Sequence, residues 1–481
     1  MTTTLLLYEQ LADEMGQLIA QRVYTVGERL PSIRQLALQK RLSISTVMQA
    51  MRLLEDRGLV DARPQAGFYV RQRSRPVAWT SMAGNEQKPA YVGINNVLMQ
   101  VLKSHEQEGR VALGSALPPP EMLPTEKVRR AVGSVSRRNP DLLANARYFE
   151  INEPNLLHQI MRRTAVWGRV VADEIVVTAS CTEAISLCLR AVTKPGDTVA
   201  VESATYFVLL QLLESLGLKA LEIPVQSDTG PSLDALELAL REGLCQACLL
   251  VPNVNNPVGS VMPEAAKKRL ADLVSRYDVP LIEDDIYGEL CFAPERPRPV
   301  KAYDTSGNVL LCTSFSKTIS PALRVGYVVA GKYTEKVQFL KTISSGVSSH
   351  LPQAVVADLL GGGGYDKQLR TMRRVLSQRI AQMSEAVALS FPAQCFLSEP
   401  KGGFVLWVQL PASVDAWALH AAAISNGIAI MPGSLFSASG NLRDHIRINC
   451  ANPWSRDIAE AIKKLGDIVR QCMDAGVRKT A

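Results

Sequence analysis

Residues 311–327 read LCTSFSKTISPALRVGY, and residues 281–290, a short way upstream, read LIEDDIYGEL. Each follows or contains an apolar run of strand type. The run Val309–Thr313 delivers Ser314, Ser316 and Lys317 just past its end, and Arg324 follows seven residues after Lys317. The run Val279–Glu283 delivers Asp284, with Tyr287 three residues later. A lysine is usually a solvated surface charge, but Lys317 sits in a small and apolar segment. A carboxylate at the end of a buried strand is costly unless it meets a cation.

Working outward, residues 174–330 alternate apolar runs with helical stretches. The runs are Ile175–Thr178, Thr198–Val201, Ala220–Ile223, Ala247–Val251, Val279–Glu283 and Val309–Thr313. Such alternation predicts a mostly parallel sheet covered on both faces. Ligands of such sheets bind beyond the carboxyl ends of the strands. Three further ends carry polar groups. Ser180, Cys181 and Thr182 open a helix, whose free N–H groups suit a phosphate. Tyr206 offers a ring that can stack on a flat molecule, and Asn256, in Asn256-Pro257-Val258-Gly259, presents an amide from a turn.

These groups together describe one ligand, an aldehyde carrying a phosphate and a pyridine ring. It needs a lysine for a Schiff base, a phosphate cradle, a carboxylate that keeps the ring nitrogen protonated, and hydrogen bonds to its phenolic oxygen. Lys317, Ser180–Thr182 with Ser314 and Arg324, Asp284, and Asn256 with Tyr287 supply these in turn. The ordered set resembles the fold-type I aminotransferases over residues 110–481. That resemblance implies a large α/β body with a smaller α+β C-terminal subdomain, and pyridoxal 5'-phosphate as cofactor. It makes Lys317 the Schiff-base lysine, Asp284 the ring-nitrogen partner in preference to Asp285, and Tyr206 the stacking ring. It adds Ser316 to the cofactor set. Tyr148 resembles the tyrosine that reaches the phosphate of the partner subunit's cofactor, which implies a homodimer. Arg447, in HIRINCA, matches the arginine that grips a substrate carboxylate, a bidentate task that suits a planar guanidinium. The chain departs from the family pattern at Glu153, His158 and Ser180.

The N-terminal residues are of another kind. Ten Lys/Arg and three Asp/Glu lie between Arg29 and Arg75, so this stretch holds the whole net charge of +7. A basic stretch in a chain that is otherwise balanced in charge suggests an anionic partner for that stretch. Leu11, Met15, Leu18, Ile19 and Val23 predict a helix over residues 8–22. Ser32 and Ser45 are expected to cap a second and a third helix, the latter stopped by Gly58, and two short strands follow near Leu59–Ala62 and Phe68–Arg71. This is the pattern of a winged helix-turn-helix, whose third helix enters the major groove. Ser43, Ser45, Thr46 and Gln49 face phosphates or base edges, Arg34 reaches a phosphate, and the wing around Gly67 meets the adjacent backbone. Tyr8, GERLPSIRQLA (Gly27–Ala37) and ARPQAGFYV (Ala62–Val70) resemble the GntR family of bacterial regulators, which implies a double-stranded DNA operator.

Between the two, residues 72–90 lack apolar periodicity and read as a flexible connector, with a helix following at about 91–106, so that the linking region is assigned to residues 76–109. The domains are then 1–75, 76–109 and 110–481. The nine cysteines are scattered, which fits free thiols in a reducing compartment. Cys245 and Cys248 form a C-x-x-C in an apolar strand without a second ligand pair, so no metal site is expected. No apolar run approaches the ~18 residues of a membrane span, and residues 1–7 lack a signal-peptide pattern. The expected location is the cytoplasm. A GntR-type winged helix joined to an aminotransferase-like body resembles the MocR group of transcription regulators. That implies DNA binding modulated by pyridoxal phosphate, a small amino compound, or both. The alternative is a working aminotransferase carrying a winged helix.

Overall fold

The computed structural model describes residues 7–20, 23–24, 27–56, 59–63, 67–70, 88–93, 98, 101, 109–144, 152–168 and 170–480. The chain divides into two compact units, Met1–Pro76 and Val77–Ala481.

In the first unit, helices Leu7–Ala20, Ile33–Lys40 and Ile44–Asp56 precede the antiparallel strands Val60–Arg63 and Gly67–Val70. The first helix ends before Val23, which is exposed. Ser32 forms a capping box. Its Oγ accepts from Gln35 N at 3.3 Å, and Gln35 Oε1 accepts from Ser32 N at 2.9 Å. Arg41 ends this helix in the left-handed region at φ 52°, which makes the tight turn into the third. The third helix is capped by Ser43, not Ser45: Ser43 Oγ accepts from Thr46 N at 3.0 Å. Hydroxyls at three of four successive positions compete for this cap, and the backbone turn decides among them. Leu11, Met15, Leu36, Val47, Met51, Leu54 and Val70 form the core. Each large side chain buried there contributes about 1.5–3 kcal/mol. Residues 27–30 pair with the hairpin through Gly27 N to Val70 O and Leu30 N to Phe68 O, completing a small wing sheet. Gly58 and residues 64–66 lie outside the described residues.

The second unit is built on an eight-stranded sheet. Its order is Ala90–Tyr91, Lys219–Ile223, Thr198–Glu202, Ala247–Leu250, Leu281–Asp284, Val309–Ser314, Gly326–Val329 and Ile175–Thr178. The neighbours from Lys219–Ile223 through Val309–Ser314 pair in parallel. Gly326–Val329 is an additional strand, antiparallel to both of its neighbours, so the sheet is mixed. Its sequence follows the Lys317 loop with no helix between, and a short return of this kind permits only antiparallel pairing. The central strands are buried on both faces, which accounts for their unbroken apolar sequence.

A second sheet, ordered Phe396–Leu397, Val405–Gln409, His445–Asn449 and Met431–Pro432, packs with helices Tyr365–Ser390, Ala416–Ser425 and Arg456–Thr480. Val111–Ala112 pairs with Ile428–Ala429 beside it. Part of the expected connector belongs to this unit. Ala90 and Tyr91 form the sheet's edge strand, antiparallel to Lys219–Ile223, and Val92, Leu98 and Val101 are buried. Most of the helix expected at 91–106 lies outside the described residues.

Candidate functional site

The carboxyl ends of the parallel strands converge on Lys317. Its side chain is half-buried, and Nζ donates to Ala116 O at 2.6 Å and stands 5.9 Å from the Tyr287 ring centre. Burial and the nearby Arg447 guanidinium push the ammonium down to about 8, against the pull of Asp284. Such an amine is partly neutral near physiological pH, the form that attacks an aldehyde.

Asp284 ends strand Leu281–Asp284 and is 5% exposed. Oδ1 accepts from Ile286 N at 3.1 Å and from the Cys181 thiol at 3.4 Å. Burial pushes its carboxyl up to about 6. Its neighbour Asp285 has other partners, Asn253 at 2.8 Å and Arg296. Asp284 is thus the carboxylate left without a cation bonded to it. The Cys181 thiol is itself driven up by burial and by Asp284.

The helix Cys181–Val192 starts at Ser180, whose Oγ accepts from Glu183 N at 3.0 Å. Glu183 accepts from Ala179 N and from the buried Lys341. Thr182 is exposed. A Cβ at Gly326 would lie 2.7 Å from the Ser180 carbonyl carbon and 3.0 Å from Cys181 N, so only glycine lets the two strands meet behind this helix start. Ser314 Oγ lies 3.2 Å from Ser316 Oγ. Arg324 is exposed, with a left-handed φ of 53°. Tyr206 is half-buried against Phe207, with ring centres 4.6 Å apart. Tyr287 is buried edge-on to Phe404, and its hydroxyl is raised by burial.

Arg447 is 1% exposed. Nη1 donates to Asn256 Oδ1 at 3.0 Å and Nη2 to Gly114 O at 2.6 Å, while Nε has no partner. The guanidinium lies 4.9 Å from the Phe436 ring centre and 5.7 Å from that of Phe207. Among the described residues no carboxylate pairs with it.

The Asn256 amide, expected to meet the ligand, accepts from Arg447 through Oδ1. Tyr148 lies outside the described residues. The sequence reading missed the segment Gly114–Leu117. It supplies the carbonyls for Lys317 and Arg447, and Asn449 holds it through Ser115 Oγ at 3.0 Å. It missed Phe207 and Phe436, which flank Arg447, and Glu202, whose buried carboxyl is pushed up to about 8. Leu98 and Val101 pack in one cluster with Tyr206, Phe207, Trp407 and Phe436, so residues of the expected linking region touch the wall of this site. Of the expected departures, Glu153 caps helix Pro154–Thr164 through Leu156 N at 2.8 Å, and His158 is exposed. Cys245 and Cys248 both lie in the core.

In the first unit, Arg34, Ser43, Ser45 and Gln49 are exposed and Thr46 is half-buried. Gly67 has a φ of +100° and sits against the Arg29 guanidinium, and Arg63 covers the Tyr69 ring at 4.2 Å. Among the described residues no helix is long and apolar enough to cross a membrane.

Comparison with known proteins matches residues 124–465 to the family "Aminotransferase class I and II" and residues 7–70 to "Bacterial regulatory proteins, gntR family". The chain is 38% identical over 474 residues to an uncharacterized HTH-type transcriptional regulator, YjiR of Escherichia coli K12, covering 97% of this chain and 99% of that one. It is 36% identical to a second, YdcR, over 96% of this chain and 99% of that one. Among solved structures it resembles LysN, an α-aminoadipate aminotransferase of Thermus thermophilus complexed with N-(5'-phosphopyridoxyl)-L-leucine. That match has TM-score 0.72 and 27% identity, over 79% of this chain and 95% of that one. A multiple substrate aminotransferase from Thermococcus profundus matches with TM-score 0.74 and 25% identity, over 79% and 96%.

Proposed function

The chain belongs to the aminotransferase class I and II family and carries a gntR-family module at its N-terminal end, and from that premise we propose that it is a transcription regulator whose DNA binding answers to ligands of its body. The cofactor is pyridoxal 5'-phosphate, as in the aminotransferases of this fold. The residues fit it. Asp284 is a buried carboxylate in want of a cation, Lys317 is a half-buried amine held partly neutral, and Gly326 lets its strand pack directly behind the helix start at Ser180. When bound, the cofactor supplies an aldehyde for a Schiff base and a ring that draws electrons from it. Lys317 would supply the amine that holds the aldehyde. Asp284 would keep the ring nitrogen protonated, and Tyr206 would stack on the ring. Asn256 and Tyr287 would donate to the phenolic oxygen. Ser180, Cys181, Thr182, Ser314, Ser316 and Arg324 would hold the phosphate, with Tyr148 of the partner subunit. The active assembly is accordingly a homodimer, with two modules for two half-sites of a DNA operator. A reducing cytoplasm is the setting that suits its free cysteines.

One observation carries the regulatory reading. Arg447 is a buried guanidinium with an unpartnered N–H, no paired carboxylate among the described residues, and a charge that Lys317 feels. A buried charge of this kind is strongly unfavourable until an anion meets it. We read it as the seat of an effector carboxylate, one side chain away from the amine. The effector is then a small amino compound with a carboxylate. Its arrival alters the wall that Leu98 and Val101 share, and these lie on the chain leading back to the module. The change in operator affinity it causes must equal the change the operator causes in effector affinity.

The test is to titrate amino acids into wild type and Arg447→Ala, following the cofactor absorption band and operator affinity together. The expected result is that Arg447→Ala keeps the band and basal DNA binding but loses the response. An unchanged response moves effector recognition elsewhere. Sustained turnover with an amino acid and a keto acid would favour the enzyme instead, since a partly neutral Lys317 also suits transamination.

A further inference from the structure

Ile44 is the first residue of the module's third helix, and it is 56% exposed. Its opposite face does the packing: Val47, Ala50, Met51 and Leu54 are each 0% exposed. Isolated exposed apolar residues are ordinary on protein surfaces. Two observations single this one out. The first is its place. The N-terminal residues of the second helix of a helix-turn-helix are those that approach base edges. The second is its company. Ser43 Oγ accepts from Thr46 N at 3.0 Å and lies 2.8 Å from Ser45 Oγ and 2.7 Å from Thr46 Oγ1. The three hydroxyls of this turn are engaged with one another and with the helix end. Ile44 is the large side chain of the turn that hydrogen bonding leaves uncommitted.

Contacts to phosphate carry no sequence information, and hydroxyls pair with several bases. An apolar side chain has one apolar partner on the base edges of the major groove, the C5-methyl group of thymine. Resting on the DNA-binding reading above, we propose that Ile44 is a specificity-determining residue that packs on a thymine methyl, selecting T at one position of each half-site. A lysine or arginine there would instead select guanine.

The test uses the full chain loaded with pyridoxal phosphate. Duplexes with a random core are enriched on it, and each thymine of the selected duplex is then replaced singly by deoxyuridine. That change removes the methyl group and keeps the pairing and the O4 acceptor. At one thymine in each half-site the replacement is expected to weaken binding about fourfold, the effect of one buried methyl. Ile44→Ala should weaken the thymine duplex by at least that factor, leave the salt dependence unchanged, and lose nothing further on deoxyuridine. Ile44→Val, which keeps the branched Cβ, should fall between. No effect of deoxyuridine at any position overturns the proposal. So do losses from Ile44→Ala and deoxyuridine that simply multiply. Failure to enrich any sequence overturns the DNA-binding reading itself, and the thymine contact with it.

Discussion

Arg34 and Arg447 are both offered to an anion, yet the molecule treats them in opposite ways. Arg34 is exposed on the first turn of its helix. Arg447 is 1% exposed, between two aromatic rings and in hydrogen bonds to Asn256 and Gly114. The contrast extends to the units that hold them. The module carries its excess of cations on a small apolar core. The body carries a net charge of only +3 over its much longer chain, but buries Glu202, Glu283, Asp284, Asp285, Lys267, Lys341 and Arg447. An exposed cation acts at a distance, tolerates many partners and is screened by salt. A buried one excludes most partners, because each wrong ligand leaves a charge or a donor unmet. The difference separates affinity for a polymer from recognition of one small molecule.

The largest test of this contrast is Lys317→Ala. The variant should lose the near-visible absorption of the Schiff base entirely while staying folded, since the lysine is only half-buried. DNA binding without effector should survive. A borohydride-reducible adduct in Lys317→Ala would put the Schiff base on another residue.

Asp284→Asn sharpens the same point from the opposite side. With cofactor, the loss of a charge-assisted hydrogen bond should weaken binding on the order of ten- to a hundredfold. Without cofactor, the variant should be the more stable protein. The folded carboxyl is raised to about 6 from its ordinary value, so the folded state holds the proton more tightly than the unfolded one. Stability of the apo protein therefore falls as pH rises from about 4 to 6, and the full penalty, on the order of 3 kcal/mol, persists above it. Asp284→Asn lacks this dependence. Thermal melts of both apo proteins at pH 5 and pH 8 decide the matter, and equal melting differences at the two pH values would break the assignment.

Much of this site was legible because its residues stand at strand ends, where a polar residue interrupts an apolar run. Lys317, Asp284 and Tyr206 are of that kind. Arg447 was reached only through family resemblance, since it lies within strand His445–Asn449, and nothing local says which way it faces. The strap at Gly114–Leu117 acts through backbone carbonyls, which no side-chain pattern betrays. Phe207 and Phe436 are apolar residues like any others until the fold sets them beside a guanidinium. In the module the helices were legible from their apolar spacing, whereas the cap was not. Ser43, Ser45 and Thr46 are equally suited, and the turn at Arg41 fixes the choice. The antiparallel strand Gly326–Val329 escaped notice because its apolar run directly follows the lysine loop.

A third prediction concerns the interplay of the two cations of the site. Uptake of pyridoxal phosphate by the apo protein requires neutral Lys317, whose amine is held down to about 8 by burial first and by Arg447 second. Below that value the rate should rise about tenfold per pH unit and then level off. Arg447→Ala removes the repulsion, so the Lys317 amine moves up, and the variant should take up cofactor more slowly at pH 7 than wild type. Stopped-flow absorbance across pH 6–10 measures both midpoints. An unshifted midpoint would mean that the two cations do not sense each other.

The smallest expected effect belongs to the exposed side of the comparison. If Arg34 meets a phosphate, Arg34→Ala should weaken binding to every sequence by a similar modest factor. It should also flatten the plot of log affinity against log salt by about 0.9 for each phosphate left without its cation. Gln49, exposed on the third helix, should behave differently. An amide reads a base edge without releasing counterions, so Gln49→Ala should alter the preferred sequence and leave the salt slope as it was. Arg447→Ala should leave that slope unchanged as well, because its guanidinium is sealed from the polymer. Fluorescence anisotropy at several salt concentrations separates the three variants. A slope unchanged in Arg34→Ala removes that residue from the phosphate contacts, while a slope that flattens in Arg447→Ala would erase the division between a cation for the polymer and a cation for the small ligand.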